Sequence, residues 1–135
     1  MEGNKNKERG TSHELGVARQ LIDLGAHVAW PLGENCQWDL VCDFSGTVTR
    51  LQVKGTDAGV RGTYRVGLRR GKGSVGVSSY EPRDTDCIVA CTPIGRYVIP
   101  LSDVKRDRLI VWDNGKYNRQ PYYDRFREAW HLLKR

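Results

Sequence analysis

The sequence has no long hydrophobic run. None of its apolar stretches approaches the roughly 18 residues a membrane helix requires, so no membrane partner is expected. The opening residues, MEGNKNKERG, hold no apolar core segment, and a secretory signal is not expected there. Cysteine is scarce: four in 135 residues, with no C-x-x-C pair. The three histidines are scattered, so the spacing of a zinc site is missing. Cys36, Cys42, Cys87 and Cys91 are therefore expected to stay reduced in a cytoplasm. Internal repeats and low-complexity stretches are also absent, which excludes solenoid and fibrous architectures.

What remains is an ordinary globular composition, 39% hydrophobic and 28% charged. A chain of 135 residues is one domain and buries enough surface to fold without a disulfide or metal. The 22 Lys and Arg against 16 Asp and Glu leave a formal charge of +6. That excess is compatible with a polyanion but does not identify one.

Residues 1–10 are polar and read as a flexible tail, with a single domain over 11–135. Leu15, Ala18, Leu21 and Ile22 recur at helical spacing, and Gly25 ends that helix. HVAWPL reads as a short strand closed by Pro31. QWDLVCDF places Trp38, Leu40, Cys42 and Phe44 on one face and Asp39, Val41 and Asp43 on the other. Ser45-Gly46 is a hairpin turn signal. In the partner strand TVTRLQVK, Leu51 and Val53 share one face, and Arg50, Gln52 and Lys54 the other. CIVACT reads as a buried strand, with both of its cysteines packed in the core. RYVIPL reads as an edge strand, because Pro100 cannot donate to a ladder. SDVKRDR reads as a short helix, and the last 14 residues as a helix striped by Tyr123, Phe126, Trp130 and Leu133. That stripe is expected in the core or at a subunit interface. The order predicts a mixed α+β domain: a central mixed sheet flanked by helices.

Four polar residues form a candidate site. Gln52 and Lys54 share a strand face, and the hairpin returns Asp39 to them. Glu14 lies upstream in the first helix. This set suits metal-assisted hydrolysis of a phosphodiester, because Mg²⁺ takes oxygen ligands and keeps several waters. Asp39 would be the central ligand, the Gln52 amide oxygen a second and the Val53 carbonyl a third. Glu14 would bind directly or through water. Lys54 would orient the nucleophile and offset transition-state charge. Each residue also has a plainer reading. Thr11-Ser12-His13-Glu14 fits a capping box, Asp39 fits an exposed strand position, and Glu34 fits a turn better than a ligand.

Gly10, Glu14, Val17, Leu21 and Gly25, then Pro31, Gly33 and Glu34, stand in order before Trp38-Asp39-Leu40-Val41 and Leu51-Gln52-Val53-Lys54. Asp84-Thr85-Asp86, CIVACT and YVIPL follow. From Gly10 to Leu101 this pattern resembles the PD-(D/E)XK nuclease core, in the branch typical of small group I intron-encoded homing endonucleases. The resemblance implies a restriction-endonuclease-like core and Mg²⁺-dependent cleavage of DNA, with Mn²⁺ able to substitute. It also implies that Glu14, Asp39, Gln52 and Lys54 take the four active-site positions. Most relatives carry Glu or Asp where Gln52 stands, and Gln is usual in this branch. Thr56 is a weaker candidate at the phosphate.

The stretch 61–80 is rich in glycine and base and has no acid. It reads as a ribbon or loop insertion that contacts DNA through Arg61, Arg65, Arg69, Arg70 and Lys72. Lys116, Arg119, Arg125 and Arg127 are expected to add phosphate contacts. Two antiparallel target strands imply a homodimer or dimer of dimers on double-stranded DNA. A structure-selective nuclease, such as a Holliday-junction resolvase or a repair or restriction nuclease, shares the same core motifs. A DNA-binding module without catalysis is the non-enzyme alternative.

Overall fold

The protein is described by a computed structural model over residues 2–72, 76–112 and 120–134, with side chains over 7–69, 79–112 and 120–134. One α-helix, α1 (Glu2–Asp23), opens the chain. Val17, Ala18 and Leu21 form its buried stripe. Its end is a Schellman turn at Gly25, φ +99°. The Ala26 amide donates to the Leu21 carbonyl (3.0 Å) and the Gly25 amide to that of Ile22 (2.9 Å). The helix corrects two expectations. It includes residues read as a tail, and Thr11 lies inside it and cannot cap it. The tail sequence is rich in Lys, Glu and Arg, which are good helix formers, and no proline interrupts it.

The central sheet has five strands: β1 (His27–Ala29), β2 (Leu40–Phe44), β3 (Thr47–Gly55), β7 (Cys87–Thr92) and β8 (Gly95–Pro100). Their order is β1-β2-β3-β7-β8, antiparallel except for the β3/β7 pair. The β2–β3 hairpin turns at Ser45 and Gly46, with φ of 51° and 98°, and pairs Phe44 with Thr47. Both positive angles match a type I′ turn, which follows strand twist. The Asp43 carboxylate accepts the Gly46 amide at 2.7 Å, so Asp43 belongs to the turn.

The sheet is buried on both faces. Leu40, Cys42, Leu51, Val53, Cys87, Val89 and Cys91 meet α1 on one side. Ile88 and Ala90 face a second core on the other. That second face is not covered by a helix. It is covered by a two-stranded sheet of β4 (Thr63–Gly67) and β9 (Arg108–Trp112), whose Val66, Leu109 and Val111 point inward beside Leu68, which follows β4. β9 was not read from the sequence. The expected SDVKRDR helix is only a 3₁₀ turn at Leu101–Asp103. Of the stretch 61–80 expected to form a ribbon or loop, only β5 (Arg70–Lys72) and β6 (Gly76–Ser78) pair with each other, while Thr63–Gly67 pairs with β9.

The C-terminal segment is likewise not one helix. It is two 3₁₀ turns, Pro121–Phe126 and Trp130–Lys134. Between them the chain crosses the free edge of β8. Tyr97 bridges Arg127, and the Glu128 amide donates to the Arg96 carbonyl at 2.6 Å. Glu128 takes φ +51° there. The aromatic stripe is thereby split: Tyr123 and Phe126 enter one core, Trp130 and Leu133 the other. An edge strand needs backbone partners, and meeting that need outweighs helical continuity. No helix among the described residues is long and apolar enough to cross a membrane.

Candidate active site

The site forms where β2 begins and β3 runs past it. Pairing of the two strands starts at Leu40 with Leu51. Asp39 stands just before that pair, and its amide donates to the Leu51 carbonyl at 2.8 Å. Its carboxylate turns back and accepts the Val53 amide at 2.7 Å. Asp39 is thus fixed by the strand it faces, not left as an exposed strand residue. Amide and carbonyl of one strand residue point to the same side. The Val53 carbonyl therefore also faces the edge where Asp39 lies.

Glu14, half-buried on α1, meets Asp39. Burial pushes the Glu14 carboxyl up to about 7, with the nearby Asp39 charge adding to the effect. Burial also raises Asp39, opposed by its bonds from the Val53 amide and from Glu14 and by the Lys54 charge. A side-chain hydrogen bond between the two raises Glu14 and lowers Asp39. Lys54 is pulled below the ordinary lysine value by burial, while Asp39 acts in the other direction. Its ammonium lies 5.3 Å from the centre of the Tyr80 ring. That ring is buried and closes one side of the lysine's slot. Gln52 shares the Lys54 face of β3 and is half-buried. Among the described residues no three His, Cys, Asp or Glu side chains converge. The acidic groups here are two, with an amide at the neighbouring position.

Arg50 does not join this set, although it shares the strand face. Its guanidinium holds Asp86 at 3.0 Å and the carbonyls of Pro82 (2.7 Å) and Arg83 (2.9 Å). This clamps the loop that leads into β7. Asp84 turns that same loop by accepting the Glu81 amide at 2.7 Å. Glu34 is exposed in the turn before Asn35. The Thr56 hydroxyl is committed to its own loop, bonding the Ala58 carbonyl (3.2 Å) and amide (3.3 Å).

Beside Lys54 opens a pocket of about 310 Å³, with Arg9 and His13 on the helix side and Gly55, Thr56 and Asp57 opposite. His13 Nε2 lies 3.6 Å from Asp57 Oδ2. Its ring packs so closely on Gly55 that a Cβ there would meet it at 2.6 Å. Sequence reading missed Arg9, His13 and Tyr80. The tail assignment hid Arg9, and no local pattern ties Tyr80 to Lys54.

A second groove of about 550 Å³ lies on the outward face of the β4–β9 sheet, lined by Arg61, Arg65, Ile110 and Trp112. It shares Ala58 with the first pocket. Arg65 and Arg69 are exposed, alternating with buried Val66 and Leu68. Arg61 sits at a tight turn with φ +55°. The side chains of Arg70 and Lys72, and all of Lys116 and Arg119, lie outside the described residues. Arg125 stacks on Tyr122 at 4.6 Å, and Arg127 donates to the Ile94 carbonyl.

A family model described as PD-(D/E)XK endonuclease matches residues 4–133. Among solved structures, the bacterial homing endonuclease I-Ssp6803I is similar with a TM-score of 0.80 and 29% identity, covering 95% of this chain and 92% of that one. Hjc, a Holliday junction resolvase from the archaeal hyperthermophile Archaeoglobus fulgidus, gives a TM-score of 0.56 at 12% identity, covering 93% and 95%. At that identity the likeness is one of fold alone. No curated protein sequence matches.

Proposed function

The chain belongs to the PD-(D/E)XK endonuclease family, and we propose that it is a Mg²⁺-dependent, site-specific DNA endonuclease of the homing type. The observation that carries this reading is the Asp39 carboxylate, held by the Val53 amide at 2.7 Å with Glu14 and Lys54 as its ionisable neighbours. The donors there are all oxygens: two carboxylates, the Gln52 amide and the Val53 carbonyl. That set fits Mg²⁺, with Mn²⁺ as a substitute. Such an ion supplies Lewis-acid polarisation of the attacked phosphate and activates water at neutral pH. Asp39, Gln52 and the Val53 carbonyl would hold it, and Glu14 would complete the shell once it gives up its proton. Lys54 stands ready to offset charge on the phosphate in the transition state. Arg61, Arg65, Arg69, Arg70 and Lys72 are the proposed DNA contacts on the far side of the site, with Thr56 limited to shaping its loop. The +6 charge and the likeness to I-Ssp6803I support this substrate. A double-strand break by one site per chain calls for a homodimer or a dimer of dimers.

The test is cleavage in Mg²⁺ of a randomised linear duplex library and of a four-way junction. Cuts enriched at one long sequence are expected. Junction cutting with no sequence enrichment would move the reading to a structure-selective nuclease. Cutting of neither, with DNA still bound, would leave a binding module.

A pH dependence follows from Glu14. Its folded pKa of about 7 lies above the ordinary carboxyl value of 4.5. The proton it holds supports the folded state at low pH, and that support is lost as pH rises towards 7. A cation entering the site must displace this proton. The Mg²⁺ concentration giving half-maximal cleavage should therefore rise as pH falls below 7, by up to ~10-fold per unit for one displaced proton. Glu14→Gln should flatten that dependence. A wild-type metal requirement that is level from pH 6 to 8 would remove Glu14 from the ligand set.

A further inference from the structure

We propose that the pocket beside Lys54 seats a backbone phosphate of the DNA strand about two nucleotides from the one that is cut, with Arg9 as its contact. The inference rests on the nuclease reading and extends it to a residue outside the motifs. Arg9 and His13 stand four residues apart on α1, so they project from one helix face. That face forms one wall of the pocket, and the Gly55–Ala58 loop forms the other. Gly55 lets the walls approach, since its bare Cα lies under the His13 ring. His13 in turn stands 3.6 Å from the Asp57 carboxylate, the one acid lining the pocket among the described residues. This leaves Arg9 and Lys54 as the cations facing the open space. Arg9 is exposed and makes no ion pair among the described residues.

Spacing fixes which phosphate is meant. Arg9 precedes Glu14 by five residues, about 7.5 Å along a helix axis. One strand of duplex DNA carries a charge about every 3.4 Å of axis. For a strand running along α1, a phosphate at Arg9 is thus about two steps from one placed at Glu14 and Asp39. The pocket's volume of about 310 Å³ lies at the lower end of the range for bound organic groups, about 300–1,000 Å³. Position 9 also faces the pocket only because α1 starts well before it.

The experiment is a salt series of binding to a fluorescent mixed-sequence duplex, in EDTA so that no cleavage occurs. It compares the full-length wild type, Arg9→Ala, Arg9→Lys and Arg19→Ala. Arg19 is an exposed control on α1, paired with Asp23 at 3.5 Å. Losing one phosphate contact should reduce the slope of log affinity against log salt by about 0.9. Arg9→Ala should show that loss, Arg9→Lys should retain most of the slope, and Arg19→Ala should match wild type. If Arg9→Ala and wild type share one slope, the pocket is not a phosphate site, and the nuclease reading stands. An equal loss in Arg19→Ala would reduce Arg9 to diffuse surface charge and overturn the assignment. A wild type that binds no duplex would sink the nuclease reading itself. Arg9 is exposed, so folding is not at stake, and thermal melts of all four proteins should coincide.

Discussion

Asp39→Asn should lower DNA cleavage by about 10³-fold without harming the fold. The two halves of that expectation have different origins. Asparagine keeps the shape, and its Oδ1 can still accept the Val53 amide that Asp39 holds at 2.7 Å. What it loses is the central negative charge of the proposed cation site. Lewis-acid stabilisation is worth several kcal/mol, and ~4 kcal/mol corresponds to about 10³ in rate. The stability half follows from the sign of the pKa shift. Burial raises Asp39 above its ordinary value, so its charged form is disfavoured by the fold. A neutral isostere relieves that cost, and the melting temperature at pH 8 should hold or rise. DNA affinity in EDTA should also hold or rise, since one negative charge near the phosphates is gone. Cleavage in Mg²⁺ is thus expected to fall in a variant whose thermal melting and binding hold or rise. A variant that still cuts within tenfold of wild type would show that Asp39 is not the central ligand.

The hairpin that carries this residue was legible in the sequence, because every signal for it is local. Alternation in WDLVCDF and in TRLQVK fixes the faces, and Ser45-Gly46 fixes the turn and so the register. Asp39, Gln52 and Lys54 therefore fell together on paper. Glu14 was legible only through the motif pattern, since a capping box explains the same residues locally. Three things were not legible, for one reason. The path of the C-terminal segment depends on the unpaired edge of β8, which is a need created elsewhere in the chain. The apolar, β-branched run RLIVW was available as a strand signal, but its partner lies more than 40 residues back at Thr63–Gly67. Tyr80 meets Lys54 from the loop before β7, which the Arg50–Asp86 clamp holds from across the chain. Periodicity reports which face of an element is apolar. It does not report which distant element will meet that face.

Lys54→Met should reduce cleavage by about 10²–10³-fold, the usual cost of removing one preorganised charge donor at a transition state. Methionine fills the slot between Asp39 and Tyr80 at similar length, so packing survives and the charge does not. Stability should change little or improve, since burial already pulls the Lys54 ammonium below its ordinary pKa. Lys54→Arg should not restore activity. Its planar fork is wider than an ammonium and cannot place a point charge in the same half-buried slot. The variant separates from Asp39→Asn by its metal response. The Mg²⁺ concentration for half-maximal cleavage should stay near wild type in Lys54→Met and shift upward in Asp39→Asn. Together the two changes should cost much less than the product of the separate losses. Residues that act as one unit leave little for the second substitution to remove. A double variant that loses the full product would mean that Lys54 and Asp39 serve independent steps, and the single-site reading would fail.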